Sequence, residues 1–411
     1  MKSDIDAIMQ DSNLDALIVF GHAEHNPPMY YFTGGGHVSH AALIKKRGEE
    51  AVFFHGDMER DEAAKSGIPY SKYDYDELLK KAGDHGGASA LRMELMLKEC
   101  GVTAGRVGVY GTYDVGAVFG LLSRVQKLMP EIEFVGERSE SSIFMKAMET
   151  KDEGEVERIR RMGRITTEVV GMVRDYLTSC DVREDEVLQK EDGTPLTVRD
   201  VHSKIRLWVS ERGAEFPSGF IFAIGRDAGV PHSSGTPSDL VQLGKTIVFD
   251  IYPAEAGGGY YYDFTRTWSL GYATPEAQEL YDQVKEIFDK LSENFDLNAS
   301  FKSYQRMTCE YFESKGHKTQ LNTKAPQEGY VHSLGHGVGL NIHERPFSGL
   351  QAEDQPLKAG VVITSEPGLY YPERGMGFRI EDTLWVRPDG KIETLAEFPY
   401  DFVLPMKKWK K

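Results

Sequence analysis

The spacing of apolar positions predicts different elements in the first and second halves of the chain. Short apolar runs of strand length recur at residues 14–20 (LDALIVF), 41–44, 51–54 and 106–110, and a helical stretch covers residues 88–98. Strands that alternate with helices are typical of an α/β layer. The runs AALI and AVFF, separated by KKRGEE, predict a β-hairpin with a charged, glycine-containing loop.

A long amphipathic helix is predicted to open the second half. Thr150 and Glu153 have the spacing of a capping box, in which each side chain accepts a hydrogen bond from a backbone N–H. We therefore place a domain boundary just before this helix, which gives domains 1–147 and 148–411. The apolar residues that follow at steps of three and four form one helical face: Val156, Ile159, Met162, Ile165, Val169 and Val173.

The rest of the second half mixes helices with strands. Thr274-Pro275 and Ser300 predict two helix starts, and Gly316 predicts the end of the second helix. Helices mixed with long, tyrosine-rich alternating strands favour an α+β fold for this half. The strand-like runs lie at residues 246–252, 260–268, 361–366 and 378–386.

Charge and cysteine content exclude several classes of protein. The 411 residues carry 64 acidic and 48 basic side chains, a formal net charge of −16, whereas nucleic-acid and anionic-membrane binders need clustered Lys and Arg. No apolar run approaches the roughly 20 residues that span a bilayer, and no signal peptide is predicted. Cys100, Cys180 and Cys309 lack CxxC spacing, so we expect a cytoplasmic protein without a disulfide scaffold or zinc ribbon.

The candidate chemistry begins with four acidic residues inside or at the ends of strand-like segments. They are Asp250, Asp263, Glu366 and Glu381. Carboxylates are rarely buried unless they are paired or bind a cation, although an exposed edge or a salt bridge would also explain any single one. In the run FRIEDTLWV, the two-residue period of a strand places Arg379 on the same face as Glu381 and places Asp382 on the other face.

Four histidines add nitrogen donors in a suitable context. His332, His336 and His343 fall in VHSLGHGVGLNIHE, where intervening glycines allow the backbone to approach a site closely. His232 lies in the loop segment DAGVPHSS. The other histidines have no such context, and we interpret them as surface or ordinary packed residues.

Convergence of these residues would require bound cations. Four carboxylates carry about −4 and cannot all stay ionised together in a buried site without compensation. Two divalent ions would cancel that charge. Oxygen donors with one imidazole suit Mn²⁺, with Co²⁺, Zn²⁺ or Fe²⁺ as alternatives. Two such ions can polarise a carbonyl and activate water, which describes metal-assisted hydrolysis.

The same segments resemble the metallopeptidase family with the pita-bread fold, which includes aminopeptidase P, prolidase and methionine aminopeptidase. The resemblance covers roughly residues 150–405 and rests on GKTIVFDIYP, YYYDFTRTW, HSLGHGVGLNIHERP, VITSEPGLYYP and GFRIEDT. It implies a carboxy-terminal pita-bread catalytic domain. Residues 1–145 resemble the smaller amino-terminal α/β domain of aminopeptidase P, prolidase and creatinase, which indicates the proline-directed branch.

The resemblance also implies a role for each candidate residue. Asp250 would bind one metal, Asp263 and Glu381 would bridge both, and His336 and Glu366 would complete the second. The expected catalytic residues are His232, His332, His343 and Glu366, with the histidines contacting substrate or moving protons. The strand period, rather than the resemblance, gives Arg379 its role: on the same face as Glu381, it would orient a carboxylate.

We therefore expect a dimetal hydrolase that removes the amino-terminal residue from peptides with proline second, with a metal-bridged hydroxide as nucleophile. Both an Xaa-Pro aminopeptidase and an Xaa-Pro dipeptidase fit this description. Two alternatives are a metal-free amidinohydrolase of the creatinase type and a non-catalytic member that binds peptides or proteins. The resemblance further implies a homodimer. Xaa-Pro peptides are the expected substrates, and Mn²⁺ is the expected metal.

Overall fold

The computed structural model describes residues 4–70 and 73–409 of the chain. Residue contacts divide the chain into two compact units. The first unit consists of Met1–Met148 with Gly257–Gly259, and the second consists of Glu149–Ala256 with Tyr260–Lys411. Within the described residues, no helix combines the length and the apolar character needed to cross a membrane.

The first unit is built on one five-stranded sheet. The strand order is β3-β2-β1-β4-β5, in which β1 pairs antiparallel with β2 and parallel with β4. Strands β2 and β3 form the antiparallel hairpin that the sequence predicted. In chain order the elements are α1 (Ile5–Asp11), β1 (Ala16–Gly21), α2 (Pro27–Thr33), β2 (Ala41–Lys46), β3 (Ala51–Phe54), α3 (Arg60–Ala64), α4 (Tyr75–Ala82), α5 (His85–Glu99), β4 (Gly105–Thr112), α6 (Val115–Leu128), β5 (Ile132–Val135) and α7 (Ile143–Ala147).

The core of the first unit forms where helices α5 and α6 cover the sheet. Strand β1 is buried at every position, because it lies in the middle of the sheet, and this explains its unbroken apolar sequence. Ile18 and Phe20 of β1 belong to one cluster with Met93 and Met96 of α5 and Val125 of α6. The apolar positions of alternating strands and helices therefore share one core.

The second unit is larger and combines four helices with several sheets. Its helices are α8 (Glu153–Ser179), α9 (Val198–Ser210), α10 (Pro275–Asn294) and α11 (Phe301–Ser314). Its strands are β6 (Asp181–Val182), β7 (Leu188–Gln189), β8 (Ala214–Glu215), β9 (Ile221–Ile224), β10 (Thr246–Ile251), β11 (Ala254–Glu255), β12 (Phe264–Leu270), β13 (His336–Gly337), β14 (Glu344–Phe347), β15 (Val362–Ser365), β16 (Gly368–Tyr371), β17 (Met376–Arg379), β18 (Asp382–Val386), β19 (Ile392–Thr394) and β20 (Val403–Leu404).

Two of these sheets position the candidate site. One has the order β20-β12-β10-β9, and the other has the order β14-β13-β15-β18-β19. Strands β10 and β12 pair antiparallel, with Asp250 opposite Thr265. An isolated bridge between Thr265 and Glu381 links the first sheet to the segment that enters β18. The two sheets therefore meet beside the acidic residues of the predicted site.

The long helix of the second unit begins later than the sequence predicted. Asp152 is its N-cap and forms a capping box with Glu155, each side chain accepting from the other residue's backbone N–H at 2.9 Å. The predicted capping box of Thr150 and Glu153 is therefore wrong. Thr150 instead forms a β-bridge with Val361, so its extended backbone belongs to the sheet region.

Helices α10 and α11 begin where the sequence predicted. The Thr274 hydroxyl caps α10 by accepting from the Ala277 N–H at 3.1 Å, and Pro275 occupies the first turn, where its missing N–H costs nothing. Ser300 is the N-cap of α11. After the end of α11, Gly316 adopts a left-handed φ of 89°, which favours glycine.

The predicted strand over residues 378–386 is two strands. Strand β17 ends at Arg379 and pairs with β16, whereas β18 begins at Asp382 and pairs with β15 and β19. The break leaves Glu381 between two sheets. Its backbone still pairs with Thr265, since the Glu381 N–H donates to the Thr265 carbonyl at 3.1 Å.

Candidate metal centre

Each predicted metal ligand comes from a different element of the second unit. Asp250 lies within β10, Asp263 directly precedes β12, and His336 opens β13. Glu366 directly follows β15, and Glu381 lies between β17 and β18. Ligands from five elements of two sheets can meet only if those sheets fold against each other, so the site depends on the tertiary fold.

The structure brings these residues together in one cavity. Ligand atoms of Asp263, His336 and Glu381 all lie within 4.8 Å of one another. His336 Nε2 is 3.6 Å from Asp263 Oδ2 and 3.4 Å from Glu366 Oε1. Asp250 and Glu366 line the same cavity, whose volume is about 450 Å³. All five side chains therefore face one space.

Glycines allow β13 to carry His336 into this space. A Cβ atom on Gly335 would lie 2.2 Å from the Thr364 carbonyl oxygen, and one on Gly337 would lie 2.1 Å from the Arg345 carbonyl oxygen. Both distances are far below van der Waals contact. The close backbone approach that the sequence predicted for this segment is therefore present.

The His336 ring is oriented for ligation by its own segment. Its Nδ1 lies 3.1 Å from the Gly337 carbonyl oxygen, and because a carbonyl only accepts, Nδ1 carries the proton. Nε2 then presents its lone pair to Asp263 and Glu366. A backbone carbonyl that fixes the tautomer in this way is the usual partner of a metal-binding histidine.

Arg379 lies behind the ligands and holds Asp250. Its Nη2 forms a short ion pair with Asp250 Oδ2, and its Nη1 donates to the Tyr370 hydroxyl at 2.7 Å. Arg379 Nε donates to Thr265 Oγ1 at 3.3 Å, and that hydroxyl donates to Glu381 Oε2 at 2.6 Å. Arg379 thus orients two of the candidate ligands, one directly and one through a hydroxyl.

His332 joins this network from the other side. Its Nδ1 donates to the Ser333 carbonyl at 2.7 Å, and its Nε2 accepts from the Tyr370 hydroxyl at 2.9 Å. Burial, reinforced by the charge of Arg379, lowers the pKa of His332 to about 3. The imidazole is therefore neutral and fixed, with both ring nitrogens engaged.

His232 and His343 lie at the exposed mouth of the same cavity. The His343 ring packs edge-on against the His336 ring, with centroids 4.3 Å apart. Partial burial and the nearby His232 lower the pKa of His343. Beside it, Glu344 Oε1 accepts from the Asn341 N–H at 2.9 Å, and Glu344 Oε2 forms a buried ion pair with Lys151 Nζ at 2.7 Å. This pair anchors the segment that presents His343.

Asp382 belongs to a separate buried pair. Its Oδ1 lies 2.9 Å from Arg266 Nη2, and its Oδ2 accepts from the Tyr400 hydroxyl at 2.5 Å. Asp382 does not line the cavity that Glu381 and Arg379 line. The two adjacent carboxylates therefore face different surroundings.

Burial of the acids creates a strong demand for positive charge. Burial, followed by the charge of Glu381, raises the pKa values of Asp263 and Glu366 well above their usual range. Burial, followed by the charge of Asp250, raises the pKa of Glu381 to about 8. These carboxylates can all ionise at neutral pH only if cations replace the missing solvent.

The donor set fits divalent metal ions. Asp250 Oδ1 is buried and has no hydrogen-bond partner among the residues that the structure describes, so one oxygen of that residue is free for a cation. His336 Nε2 presents a lone pair, and the three other carboxylates supply oxygens in the same cavity. Carboxylate oxygens with a single imidazole suit Mn²⁺ and neighbouring first-row metals better than they suit a thiolate-type site.

Several residues in and around the cavity were not predicted from the sequence. Thr265 connects Arg379 to the ligand Glu381, and Tyr370 connects Arg379 to His332, but a tyrosine and a threonine in strands carry no distinctive signal. Apolar walls of the cavity come from Ile221, Ile342 and Phe347. Only their position next to the acidic residues in the folded chain distinguishes them from ordinary core residues.

Fold and site together define a metal-dependent hydrolase with a carboxylate-rich centre. The chain belongs to metallopeptidase family M24, whose model matches residues 157–388. The model of the Creatinase/Prolidase N-terminal domain matches residues 3–137. The predictions of this family, of the two-part α+β fold and of a metallo-exopeptidase are therefore confirmed.

Individual relatives align with this chain over nearly its whole length. The chain is 26% identical to an Xaa-Pro dipeptidase of Pyrococcus horikoshii, over 93% of both proteins. The structure of a dipeptidase from Pyrococcus horikoshii OT3 superposes with a TM-score of 0.75 at 22% identity, covering 97% of this chain and 98% of that one. An X-Pro aminopeptidase structure from Thermotoga maritima gives a TM-score of 0.72 at 21% identity, covering 95% and 97%.

Proposed function

We propose that this metallo-exopeptidase hydrolyses the peptide bond between an amino-terminal residue and a following proline, with two divalent metal ions held by the carboxylate-rich centre. The proposal rests on one observation, the placement of Asp263, His336 and Glu381 ligand atoms within 4.8 Å of one another in a cavity shared with Asp250 and Glu366. The Xaa-Pro activity named for the Pyrococcus horikoshii relative supports the substrate class.

The proposed roles of the metal ligands are those that the family resemblance implies. Asp263 and Glu381 are proposed to bridge the two ions, Asp250 to bind one, and His336 and Glu366 to bind the other. When bound, divalent ions at this centre supply Lewis-acid polarisation of the substrate carbonyl. Mn²⁺ is the proposed metal, because the donors are mostly carboxylate oxygens.

Proton movement is assigned to side chains with free ring nitrogens. Among the residues that the structure describes, His232 and His343 form no hydrogen bond through their rings, whereas both nitrogens of His332 are engaged. We therefore assign contact with the substrate and proton delivery to His232 and His343. Glu366, beside His336, is the proposed base, and Arg379 with His332 and Tyr370 keeps the ligands in place.

A proline ring after the scissile bond makes particular demands. The bond is a tertiary amide without an N–H, so the site needs a proton donor for the leaving imino nitrogen. It also needs a surface for the ring. Ile221, Ile342 and Phe347 provide apolar walls beside the imidazoles at the mouth, which supports this substrate class.

The test is a peptide panel with added Mn²⁺. Ala-Pro, Ala-Pro-Ala, Ala-Ala-Ala and Met-Ala-Ser would be compared by product release, together with an amino-terminally acetylated Ala-Pro-Ala. We expect cleavage of a proline peptide and none of the acetylated peptide or Ala-Ala-Ala. The ratio of Ala-Pro to Ala-Pro-Ala cleavage separates dipeptidase from aminopeptidase activity. Faster cleavage of Met-Ala-Ser than of both proline peptides would contradict the proposal.

Metal analysis separates this proposal from the metal-free alternative. Protein purified without chelator should contain close to two divalent ions per chain, and chelation should abolish turnover until Mn²⁺ is restored. Turnover that survives complete metal removal would favour a creatinase-type reaction instead. The homodimer and the cytoplasmic location stay predictions.

A further inference from the structure

A second cavity lies within the first unit and has no part in the metal centre. Its volume is about 190 Å³. Phe20 near the end of β1, Tyr113 just after β4 and Ala42 in β2 contribute to its wall, and residues of α5 and α6 complete it. The cavity therefore opens at the carboxyl ends of the parallel strands β1 and β4.

The sheet topology makes this a favourable place for a ligand. From β1 the chain continues to β2 and β3 on one side of the sheet, and it later places β4 and β5 on the other side. The connections thus diverge between β1 and β4. In open α/β sheets, such a divergence leaves a crevice at the carboxyl ends of the strands, and ligands bind there.

The inner wall of the cavity is apolar. Phe54, Met93 and Met96 are buried and line it. An apolar cavity of about 150 Å³ is enough to hold benzene, so this cavity has room for a ring or short alkyl chain with one small polar group.

The polar residues of this wall are His40, Tyr75, Ser89, Tyr113 and Arg92, and the permanent cation among them is Arg92. Arg92 of α5 is half-buried and lines the cavity. Its Nε is buried and has no hydrogen-bond partner within residues 4–70 and 73–409. Within the described part of the chain, Arg92 forms no ion pair, whereas Arg47 pairs with Asp15 and Arg106 pairs with Glu133. A buried donor left unpaired carries a desolvation cost, which an incoming acceptor would offset.

The positive charge of the wall favours an anionic ligand. Arg92 supplies a positive charge, and the described lining residues include no Asp or Glu. A carboxylate would pair with the guanidinium in a bidentate fashion. An amino acid would also bring an ammonium group, for which this wall offers no anion.

We propose that this cavity is a binding site for a small monocarboxylate with an apolar body, such as an aromatic or short-chain aliphatic acid. The carboxylate pairs with Arg92, and the apolar body lies against Met93 and Met96. The site is independent of the proposed peptidase reaction.

Benzoate is the probe, and benzyl alcohol is its neutral counterpart. The full-length, metal-loaded protein would be titrated with each, with calorimetry as one readout and the [¹³C]methyl signals of Met93 and Met96 as the other. We expect saturable benzoate binding that shifts both methionine signals. Benzyl alcohol should bind about tenfold more weakly or worse, because it lacks the charge-assisted pair. No saturable binding at millimolar benzoate would overturn the proposal.

Variants distinguish this cavity from the metal centre, which can also attract carboxylates. Arg92→Met should weaken benzoate binding at this site about tenfold or more, and Arg92→Lys should retain part of it. Peptidase activity should be unchanged in both. Ala117→Phe adds a phenyl group at an exposed lining position of α6. It should weaken benzoate binding by crowding the cavity while keeping Arg92, and it supplies the test if Arg92→Met does not fold. Methionine shifts that persist unchanged in Arg92→Met and Ala117→Phe would overturn the proposal.

Discussion

Glu381 and Asp382 are adjacent in the chain, but their carboxylates have different environments. Glu381 lines the metal cavity and accepts from Thr265. Asp382 is buried in an ion pair with Arg266 and accepts from Tyr400. The pair therefore offers a matched comparison in which the same chemical change is made at neighbouring positions.

Removing a proposed bridging charge should release metal. Asp263→Asn and Glu381→Gln are each expected to lower metal content severely and to abolish turnover, because each removes an anionic ligand shared by two cations. Asp382→Asn should keep its metal and lose thermal stability instead, since its partner Arg266 would remain buried. Metal analysis with circular-dichroism melting checks both. Equal metal loss from Glu381→Gln and Asp382→Asn would contradict the assignment.

The histidines at the mouth should affect rate without affecting metal. His343→Ala and His232→Ala are expected to retain full metal content and to lower kcat by about 10²–10⁴, the usual cost of losing an acid–base or oxyanion-stabilising group. Metal stoichiometry measured beside steady-state kinetics decides this. Loss of metal from either variant would place that histidine among the ligands.

At the scale of elements, the short strand β13, which carries His336, lies between strands β14 and β15. Gly337 approaches the backbone at Arg345, where a Cβ would lie 2.1 Å from the carbonyl oxygen. Gly349 is a suitable control, because a Cβ there would meet nothing closer than Ser333 Cβ at 3.9 Å. Neither glycine has a positive φ, so the comparison tests the steric contact of the added Cβ without a difference in backbone strain.

Gly337→Ala should disrupt the centre through the backbone. The added methyl group must displace β13 or β14, which we expect to lower Tm markedly and to reduce metal content by moving His336. Gly349→Ala should change stability by no more than about 0.5 kcal/mol. Thermal melting and metal analysis of the two variants provide the measurement, and a Gly337→Ala protein with normal Tm and full metal content would refute this account.

Sequence patterns predict the structure correctly where local interactions determine it. The β2–β3 hairpin, the Thr274 cap and the start of α11 at Ser300 all follow from short-range signals. The predictions are wrong where tertiary pairing determines the local structure. Thr150 resembles a cap but joins a β-bridge, and one apolar run divides at Glu381 because its two ends belong to different sheets.

The candidate site was accessible from the sequence for a different reason. Acidic residues within apolar strands are unusual enough to be noticed individually, and the family resemblance connects them. The supporting residues were missed, because Tyr370 and Thr265 act only through contacts made in the folded chain. The cavity at Arg92 was missed too, since an arginine on a helix is ordinary until its neighbours are known.

For the whole molecule, metal binding and stability are linked through the buried acids. Without metal, burial raises the pKa of Glu381 from 4.5 to about 8 and those of Asp263 and Glu366 well above their usual range. The folded state then binds protons more tightly than the unfolded chain does. This stabilising contribution is complete below the unfolded pKa and is lost as pH rises through the folded pKa.

The metal-free protein should therefore become less stable between pH 6.5 and about 8. Above pH 6.5 the buried imidazoles of His332 and His336 contribute little to the pH dependence of stability. Their pKa values are lowered to about 3, so they are neutral in the folded state, and they are largely neutral in the unfolded state too.

We expect Tm with excess chelator to fall by several degrees across this window. Saturating Mn²⁺ should remove the fall, because the cations replace the protons. Chelated Glu381→Gln should show a shallower fall than the chelated parent. Calorimetric scans at matched ionic strength measure all three, and a chelated parent protein whose Tm is constant or rises with pH would show that the acids are not held in this buried cluster.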